Sequence, residues 1–327
     1  MTVMTYIEAI RSTLAEEMRR DPAIIVLGED VGKKGGVFLA TDGLYDEFGA
    51  DRVIDTPLTE SMIVGASIGA AVNGLRPVPE IQFADFIMPA FNQIVSEAAR
   101  MRYRSNNAFG CPMTIRAPYG GGVHGALYHS QSVEAFFAHV PGLKIVIPST
   151  PYDARGLLRS SIRDDDPVLF FEHKKMYRSV RGEVPAGDYV VPLGEAKVVR
   201  EGSQVTVIGY GLMVQYALEA AELLEADGIS TEVIDIRTLR PLDGQTILDS
   251  VRKTGKACVV YEDNRFGGYG AEIAAIIAEE AFDDLDGPIM RVTGPDVPGV
   301  PYAHTLEEWF MPSPDRIAEA VRRLAAY

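Results

Sequence analysis

An alternation of short apolar runs with helical patterns constrains the fold of this chain more than any other feature. Runs such as "AIIVLGED" (23–30) and "PVLFFEH" (167–173) have the length and β-branched content of buried strands. Between them lie helical patterns such as "ESMIVGASIGAAVNG" (60–74) and "PYDARGLLRSSIRD" (151–164). Because a helix between two strands allows those strands to run parallel, the first half predicts a doubly wound α/β domain with a mostly parallel sheet.

The alternation stops once and then starts again. Residues 179–203 are punctuated by Pro and Gly and show no helical period, which is typical of a connector. From "QVTVIGYG" (204–211) onward, strand and helix patterns alternate as before. A length of 327 residues is also more than one ordinary core needs. The sequence therefore predicts two doubly wound α/β domains, with boundaries at 1–185, 186–203 for the connector, and 204–327.

Charge and composition exclude several functions. The net charge of −15 and the pI of about 4.8 argue against binding to nucleic acid or to an anionic membrane surface. Cys111 and Cys258 lie far apart and form neither a disulfide framework nor a metal-binding spacing, which fits a reducing compartment. The N-terminal segment has mixed charges, unlike a signal peptide, and no apolar run is long enough to span a bilayer. We expect a protein of the bacterial cytoplasm, or of an organellar matrix after processing.

The first candidate for chemistry is Glu60, at the end of "DTPLTE" (55–60). An almost wholly apolar or small segment follows it. A carboxylate buried without a partner costs several kcal/mol, so it either pairs or takes up a proton. Glu60 is either a first-turn residue favoured by the helix dipole or a carboxyl group held in a dry pocket against a bound heterocycle. The spacing alone favours the helix-start interpretation.

Two further motifs hold candidate residues beside apolar sequence. In "EIQFADF" (80–86), strand alternation would put Gln82 and Phe86 on one side, at the carboxyl end of a parallel strand where open α/β sheets bind ligands. An aromatic side chain at such a place is more often part of the core. In "GEDVGKKGGVF" (28–38), the acids Glu29 and Asp30 would repel phosphate, and the order of residues is not that of a phosphate-binding loop.

The fourth motif, "GGGVHGALYHSQS" (120–132), combines three glycines with two of the five histidines. Three successive glycines permit a sharp turn or a close approach of the backbone to a ligand. The motif is either a solvated loop or a binding site with His124 and His129. It lacks the third ligand that a zinc site needs.

Together the motifs resemble one family over essentially the whole chain. "GEDVGKKGGVF", "DTPLTE", "GLRPVPEIQFADF", "YRS", "HGALYHSQSVEAFFAHVPGLKIVIPSTPYDARGLL" and "EVIDIRTLRPLD" occur in the order found in the beta subunit of the thiamine-diphosphate-dependent decarboxylating component of 2-oxo acid dehydrogenase complexes. Within that family, "HGALYHSQS" is most similar to the branched-chain enzymes, with pyruvate-specific relatives close behind. The resemblance implies a transketolase-like pyrimidine-binding domain followed by a transketolase C-terminal-like domain.

The resemblance also implies roles for individual residues. Glu60 would hydrogen-bond the aminopyrimidine ring of thiamine diphosphate and so promote cofactor activation. Phe86 would pack against that ring, with Gln82 and Glu29 also contributing to cofactor binding. Some relatives carry tyrosine where Phe86 stands, so a role for that hydroxyl in substrate binding is in doubt here. His129 would lie near the reacting carbon and the arriving lipoyl group, where it could steer or protonate a lipoyl sulfur.

A potassium ion and two partners are implied in the same way. The positions matching the family's potassium site, which binds mostly through backbone carbonyls, are Met113, Ser161, Ile162, Asp164 and Asp166. The family's Gly-Asp-Gly signature, with the downstream Asn that holds magnesium, is absent from this chain. The resemblance implies that an alpha subunit supplies it in an α2β2 heterotetramer. The second domain would then contribute to dimer contacts and to docking on a lipoyl acyltransferase core.

The expected reaction is oxidative decarboxylation of a branched-chain 2-oxo acid with reductive acylation of lipoamide. A pyruvate dehydrogenase beta subunit is the alternative, and an acetoin dehydrogenase beta subunit is a third. A non-catalytic scaffold with the same fold is the hypothesis of another class. Retention of both Glu60 and His129 argues against a scaffold, which needs neither residue.

Overall fold

The computed structural model describes all 327 residues, which form two compact units. The first unit comprises Met1–Tyr119 and Phe136–Leu193, and the second comprises Gly120–Ala135 and Gly194–Tyr327. The segment 120–135 therefore packs with the second unit, although its sequence lies within the first stretch of alternating strands and helices. Side chains of the second unit that accept hydrogen bonds from this segment account for its placement, as shown below.

The elements follow the chain in a regular order. The strands are β1 (Thr2–Thr5), β2 (Ile24–Gly28), β3 (Val53–Asp55), β4 (Arg76–Glu80), β5 (Thr114–Tyr119), β6 (Lys144–Val146), β7 (Val168–His173), β8 (Arg181–Val184), β9 (Lys197–Arg200), β10 (Val205–Gly209), β11 (Thr231–Asp235), β12 (Thr238–Arg240), β13 (Ala257–Asn264) and β14 (Met290–Gly294). The α-helices are α1 (Tyr6–Arg20), α2 (Leu44–Phe48), α3 (Glu60–Val72), α4 (Met101–Arg104), α5 (Glu134–Ala138), α6 (Pro151–Arg163), α7 (Met176–Ser179), α8 (Leu212–Glu225), α9 (Gly244–Thr254), α10 (Gly270–Glu280), α11 (His304–Phe310) and α12 (Pro314–Ala325).

The sheet of the first unit has the strand order β6-β7-β5-β4-β2-β3, and the pairs within it are parallel. From β2 the chain moves outward to β3 and then returns to β4 on the other side of β2. This reversal makes the carboxyl end of β2 the switch point of the sheet, where open α/β folds bind ligands. A separate antiparallel pair, β1 with β8, brings the two ends of the unit together.

The sheet of the second unit has the order β14-β13-β10-β11-β9. Its central pairs are parallel, and only β9 runs antiparallel, on β11. The chain again moves from one strand, β10, to a neighbour on one side and later to β13 on the other. The carboxyl end of β10 is therefore the second switch point. Both sheets confirm the predicted α/β fold class.

The strand alternation predicted over 80–86 is wrong beyond Glu80. β4 ends there, and residues 84–86 form a 3-10 turn in which the Phe86 N–H bonds the Phe83 carbonyl at 2.9 Å. Since the backbone is not extended, strand alternation does not decide where Gln82 and Phe86 point. The segment 89–105, whose apolar residues recur at helical spacing, is interrupted by a π-helical turn at Gln93–Ala98.

A buried ion-pair network joins the three central strands of the first sheet. The Arg116 guanidinium, wholly buried on β5, donates to Glu80 on β4 at 2.5 Å and to Glu172 on β7 at 2.6 and 2.7 Å. The Tyr177 hydroxyl donates to Glu172 at 2.6 Å. Burial, followed by the nearby Glu172, raises the pKa of Glu80, while Arg116 opposes that rise. The cation thus offsets the charge of two buried carboxylates in the middle of the sheet.

Replacing Arg116 by methionine should destabilise the protein severely. The change leaves the Glu80 and Glu172 carboxylates buried without a cation, and breaking a buried pair in this way costs about 3–5 kcal/mol. Urea unfolding followed by circular dichroism measures the loss. The matched control is Arg19→Met, which removes the exposed Arg19–Glu47 pair and should cost under about 1 kcal/mol. Equal effects from the two variants would contradict the structural role of Arg116.

Candidate active site

Three candidate residues lie just beyond the carboxyl ends of three neighbouring parallel strands. Glu29 follows β2, Glu60 begins α3 after β3, and Gln82 follows β4. The register pairs Gly28 with both Asp55 and Glu80, so these three strands end level with one another. Residues distant in the sequence are thereby brought to one edge of the sheet, at its switch point.

The loop after β2 is held closely against its neighbours. Gly28 has φ +157°, and a Cβ there would lie 2.6 Å from the Glu80 carbonyl oxygen, so only glycine fits. The Thr56 N–H donates to the Gly28 carbonyl at 2.9 Å, and the Gly32 N–H donates to the Asp55 carboxylate at 2.6 Å. These bonds join residues 55–57 to residues 28–32 and so set the positions of Glu29 and Glu60.

Glu29 and Glu60 are buried carboxylates that no cation neutralises. Their side chains are 9% and 8% exposed, and neither makes a hydrogen bond or an ion pair. Burial, followed by the negative charges of Glu60 and Asp30, raises the pKa of Glu29. The Thr56 hydroxyl is likewise buried without a partner. Since buried polar groups are normally satisfied, this edge has the character of an incomplete binding site.

The remaining candidates of the first unit follow the carboxyl end of β4. Gln82 and Phe86 are both partly exposed. The Phe86 ring meets Phe83 edge-on at a centroid distance of 5.9 Å, and Phe83 meets Phe38 in the same way at 5.4 Å. An aromatic wall of this kind suits a flat heterocycle, and a carboxyl group prone to hold a proton suits a ring nitrogen. The donor set therefore fits the aminopyrimidine end of thiamine diphosphate.

The second cluster forms around the glycine-histidine motif, within the second unit. The Gly121 N–H donates to Glu262, on β13, at 2.5 Å. The Tyr210 hydroxyl, just after β10, donates to Glu134 at 2.7 Å. Both contacts lie at the carboxyl ends of the strands that flank the second switch point. The segment 120–135 therefore covers the edge of the sheet at which this fold would otherwise accept a ligand.

The two histidines of the motif have different surroundings. His124 is half exposed, and its Nδ1 lies 2.6 Å from the Glu307 carboxylate. Its ring also packs at 4.7 Å from that of His304. His129 follows the 3-10 turn Ala126–Tyr128 and is partly buried. Sequence reasoning did not single out Glu262 or Glu307, since each lies more than a hundred residues beyond the motif, with no pattern that links them to it.

Glu134 is the most perturbed acid of the second unit. Its side chain is wholly buried, and only one of its oxygens, which accepts from Tyr210, has a hydrogen-bond partner. Burial, followed by the charge of Asp263, raises the pKa of Glu134 to about 8. Burial and the neighbouring Glu262 also raise the pKa of Asp263, to about 6. Glu134 therefore carries a proton at neutral pH.

The residues predicted for a potassium site lie near the end of α6 and the starts of β5 and β7. The carbonyls of Ile162 and Asp164 accept from Arg76 at 3.2 and 2.9 Å. The Asp164 carboxylate pairs with Lys144 at 2.6 Å, and that of Asp166 pairs with Arg102 at 2.5 Å. The backbone carbonyl oxygens of Ile162 and Asp164 each retain a second lone pair. No group of three or more His, Cys, Asp or Glu side chains is arranged to hold a metal ion. Potassium binding stays a prediction.

Comparisons with known proteins agree with this geometry. Residues 2–180 match the family "Transketolase, pyrimidine binding domain", and residues 194–317 match "Transketolase, C-terminal domain". The chain is 62% identical to the 2-oxoisovalerate dehydrogenase subunit beta of Bacillus subtilis (strain 168), over 100% of both chains. It is 49% identical to the pyruvate dehydrogenase E1 component subunit beta of the same organism, again over 100% of both.

The chain belongs to the family of 2-oxo acid dehydrogenase beta subunits. A solved structure titled as a split-gene transketolase, an inactive beta4 tetramer, has the same fold, with a TM-score of 0.80 and 25% identity over 99% of this chain and 98% of that one. The predicted family and the transketolase-like fold are thus confirmed. No helix is long and apolar enough to cross a membrane.

The raised pKa of Glu134 predicts how stability changes with pH. An unfolded glutamate loses its proton near pH 4.5, whereas the folded one keeps it up to about pH 8. Over that window the folded state binds more protons than the unfolded state, so the contribution of Glu134 to stability falls as pH rises. Glu134→Gln removes this dependence. The melting temperature of the variant should decline less than that of the wild type between pH 5 and 8, as differential scanning fluorimetry can test. Parallel curves would assign the dependence to other groups.

Proposed function

We propose that this chain is the beta subunit of a branched-chain 2-oxo acid dehydrogenase. In this proposal it catalyses, together with an alpha subunit, the decarboxylation of a 2-oxo acid and the transfer of its acyl group to lipoamide. The observation that supports it most is the pair of buried carboxylates, Glu29 and Glu60, which have no partner within the chain. The match of residues 2–180 to a transketolase pyrimidine-binding domain supports thiamine diphosphate as the ligand of that pair.

The residues of this chain have defined tasks in the proposal. When bound, thiamine diphosphate supplies a ring that accepts the electron pair released as carbon dioxide leaves. Glu60 exchanges a proton with a nitrogen of the aminopyrimidine ring. Glu29 binds beside it, and burial together with the charges of Glu60 and Asp30 raises the pKa of Glu29, which favours a protonated carboxyl group at this edge. Gln82 and Phe86 lie beside the ring. Potassium bound at the predicted positions would stabilise the fold.

His129 is proposed to act in the second half-reaction. An imidazole can give a proton to the lipoyl sulfur as the acyl group is transferred, since it titrates near physiological pH. The lipoyl disulfide is thereby reduced: one sulfur takes the acyl group and the other becomes a thiol, while the fragment left by decarboxylation is oxidised to the acyl level. The second domain, 204–327, is proposed to carry subunit contacts and the docking of the acyltransferase core.

An alpha subunit is proposed as the partner for two reasons. The chain carries no Gly-Asp-Gly signature for the diphosphate and its magnesium ion. Around Glu60, Leu58 is 79% exposed and Met62 is 41% exposed. Apolar side chains beside a carboxyl group that must stay dry need another surface to cover them. An α2β2 assembly with the cofactor at each α–β contact supplies both.

Glu60→Gln should abolish turnover while leaving the assembly intact. Glutamine keeps the shape and hydrogen-bonding capacity of the side chain but cannot exchange a proton with the ring. We expect a loss of on the order of 10²–10⁴-fold in cofactor-dependent decarboxylation, measured with an artificial electron acceptor after co-expression with the alpha partner. The control is Glu272→Gln, which replaces an exposed first-turn acid of α10. Full activity in Glu60→Gln would make Glu60 a helix-start residue only.

The substrate is decided by comparing 3-methyl-2-oxobutanoate with pyruvate in the same assay. The 62% identity to a 2-oxoisovalerate dehydrogenase subunit, against 49% to a pyruvate dehydrogenase subunit, favours the branched-chain acid. We expect a kcat/KM at least tenfold higher for 3-methyl-2-oxobutanoate. A preference for pyruvate would assign the chain to the alternative dehydrogenase, and absence of turnover on either acid would favour a scaffold.

A further inference from the structure

The segment 120–129, here called the histidine loop, is held by carboxylates rather than by a sheet or helix. Glu262 accepts from the Gly121 N–H at 2.5 Å. Glu307, on α11, accepts from the Gly122 N–H at 2.8 Å and from the His124 N–H at 3.1 Å. It also binds His124 Nδ1 at 2.6 Å. Two acids from separate elements of the second unit thus accept from three backbone N–H groups of the same loop.

Glu307 serves this loop alone. Its side chain is 3% exposed, and every hydrogen bond that it accepts comes from Gly122 or His124. A carboxylate taken out of water is tolerated only where donors satisfy it. The histidine loop supplies all of those donors, which include two backbone N–H groups. Glu307 is therefore buried because of the loop, and the loop keeps its shape because of Glu307.

The shape that Glu307 holds is one that these residues rarely adopt. His124 has φ +58° and Ala126 has φ +57°, both in the left-handed region that disfavours side chains other than glycine. Such conformations persist where the surroundings fix them, and they gather at functional sites. The hydrogen bonds that Glu307 accepts from the N–H groups of Gly122 and His124 fix the backbone just before His124 and at His124 itself.

The fixed backbone in turn sets the position of His129. A Cβ at Gly125 would lie 2.5 Å from the His129 carbonyl oxygen and 2.7 Å from the Ser130 hydroxyl. The chain at residue 125 therefore lies directly against the backbone of His129. A shift of residues 122–125 displaces His129 with them, because no space separates the two.

We propose that Glu307 is a positioning residue, which orders the histidine loop so that His129 can act in acyl transfer to the lipoyl group. The proposal rests on the function proposed above, which gives His129 that step. The proposal gives α11 of the second unit a part in the reaction. The sequence does not reveal this part, because α11 lies far from the histidine loop in the chain. Glu307 does not touch the reacting atoms and acts through the loop.

The test compares two reactions of the complex with its alpha partner. Glu307→Ala should lower the rate of reductive acylation of a lipoyl domain by on the order of 10²-fold, as expected when a reacting group is misplaced by about 1 Å. Decarboxylation with an artificial electron acceptor should stay within about threefold of the wild type, since it does not require acyl transfer. Glu307→Gln keeps one acceptor oxygen for the loop and should recover most of the acylation rate.

A control variant separates positioning from general stability. Glu232→Ala removes another carboxylate of the second unit, 1% exposed, which accepts from Ser250 at 2.5 Å and from the Gly202 N–H at 3.2 Å. It should lower the melting temperature as much as Glu307→Ala does, without separating the two reaction rates. Wild-type acylation by Glu307→Ala, or a parallel loss of both reactions as in Glu232→Ala, would overturn the proposal.

Hydrogen–deuterium exchange gives a readout that does not depend on activity. In Glu307→Ala the peptide covering 120–129 should exchange at least tenfold faster, because two of its N–H groups lose their acceptor. Unchanged exchange would show that Glu307 does not hold the loop, whatever the chain catalyses. If the wild-type complex turned over no 2-oxo acid while this exchange difference appeared, the proposed function would fail and the ordering of the loop by Glu307 would stand.

Discussion

The parallel pairing of β2 with β3 and β4 is the constraint on which the first unit depends. Strands that run the same way end at the same edge, so the loops that follow them must meet there. Glu29, Glu60 and Gln82 are brought together by this geometry alone. The edge also provides no hydrogen-bond donor or cation for either acid, which makes this pair of carboxylates the candidate ligand-binding group of the unit.

Two kinds of buried carboxylate in this unit differ in what surrounds them. Glu80 and Glu172 are bonded to Arg116, and their charges are balanced within the sheet. Glu29 and Glu60 have no such balance. Because a buried carboxyl group without a partner weakens the fold, Glu29 and Glu60 are the better candidates for a functional site. The contrast distinguishes a structural network from a candidate site more sharply than burial does.

The second unit uses the same sheet architecture differently. The carboxyl edge of its sheet is covered by residues 120–135 of the chain rather than left open. Glu262 and Glu307 accept hydrogen bonds there from backbone N–H groups of the histidine loop. The loop therefore occupies the edge of the sheet at which open α/β folds bind ligands. A segment that lies between two strands of the first unit in the sequence is thus ordered by the second.

Much of the fold could be predicted from the local hydrophobic pattern, because periodicity and segment length distinguish strands from helices. The elements β2, α3, α6, β7 and β10 lie where the sequence predicted them. Errors arose where tertiary contacts override the period: the strand predicted through Phe86 ends at Glu80, and residues 84–86 form a 3-10 turn that bonds to itself. The antiparallel pair β1–β8 joins two four-residue strands that are too short to show a strand pattern in the sequence.

The sequence by itself determined the α/β class, the family, and the identity of Glu60, Glu29 and His129 as candidates, because these depend on motifs that are contiguous in the chain. Only the tertiary structure decided which carboxylates are left without partners, and that Glu307 and Glu262 hold the histidine loop. Those facts depend on distances between residues up to 185 positions apart. Burial and charge compensation are properties of such distances, and no local pattern contains them.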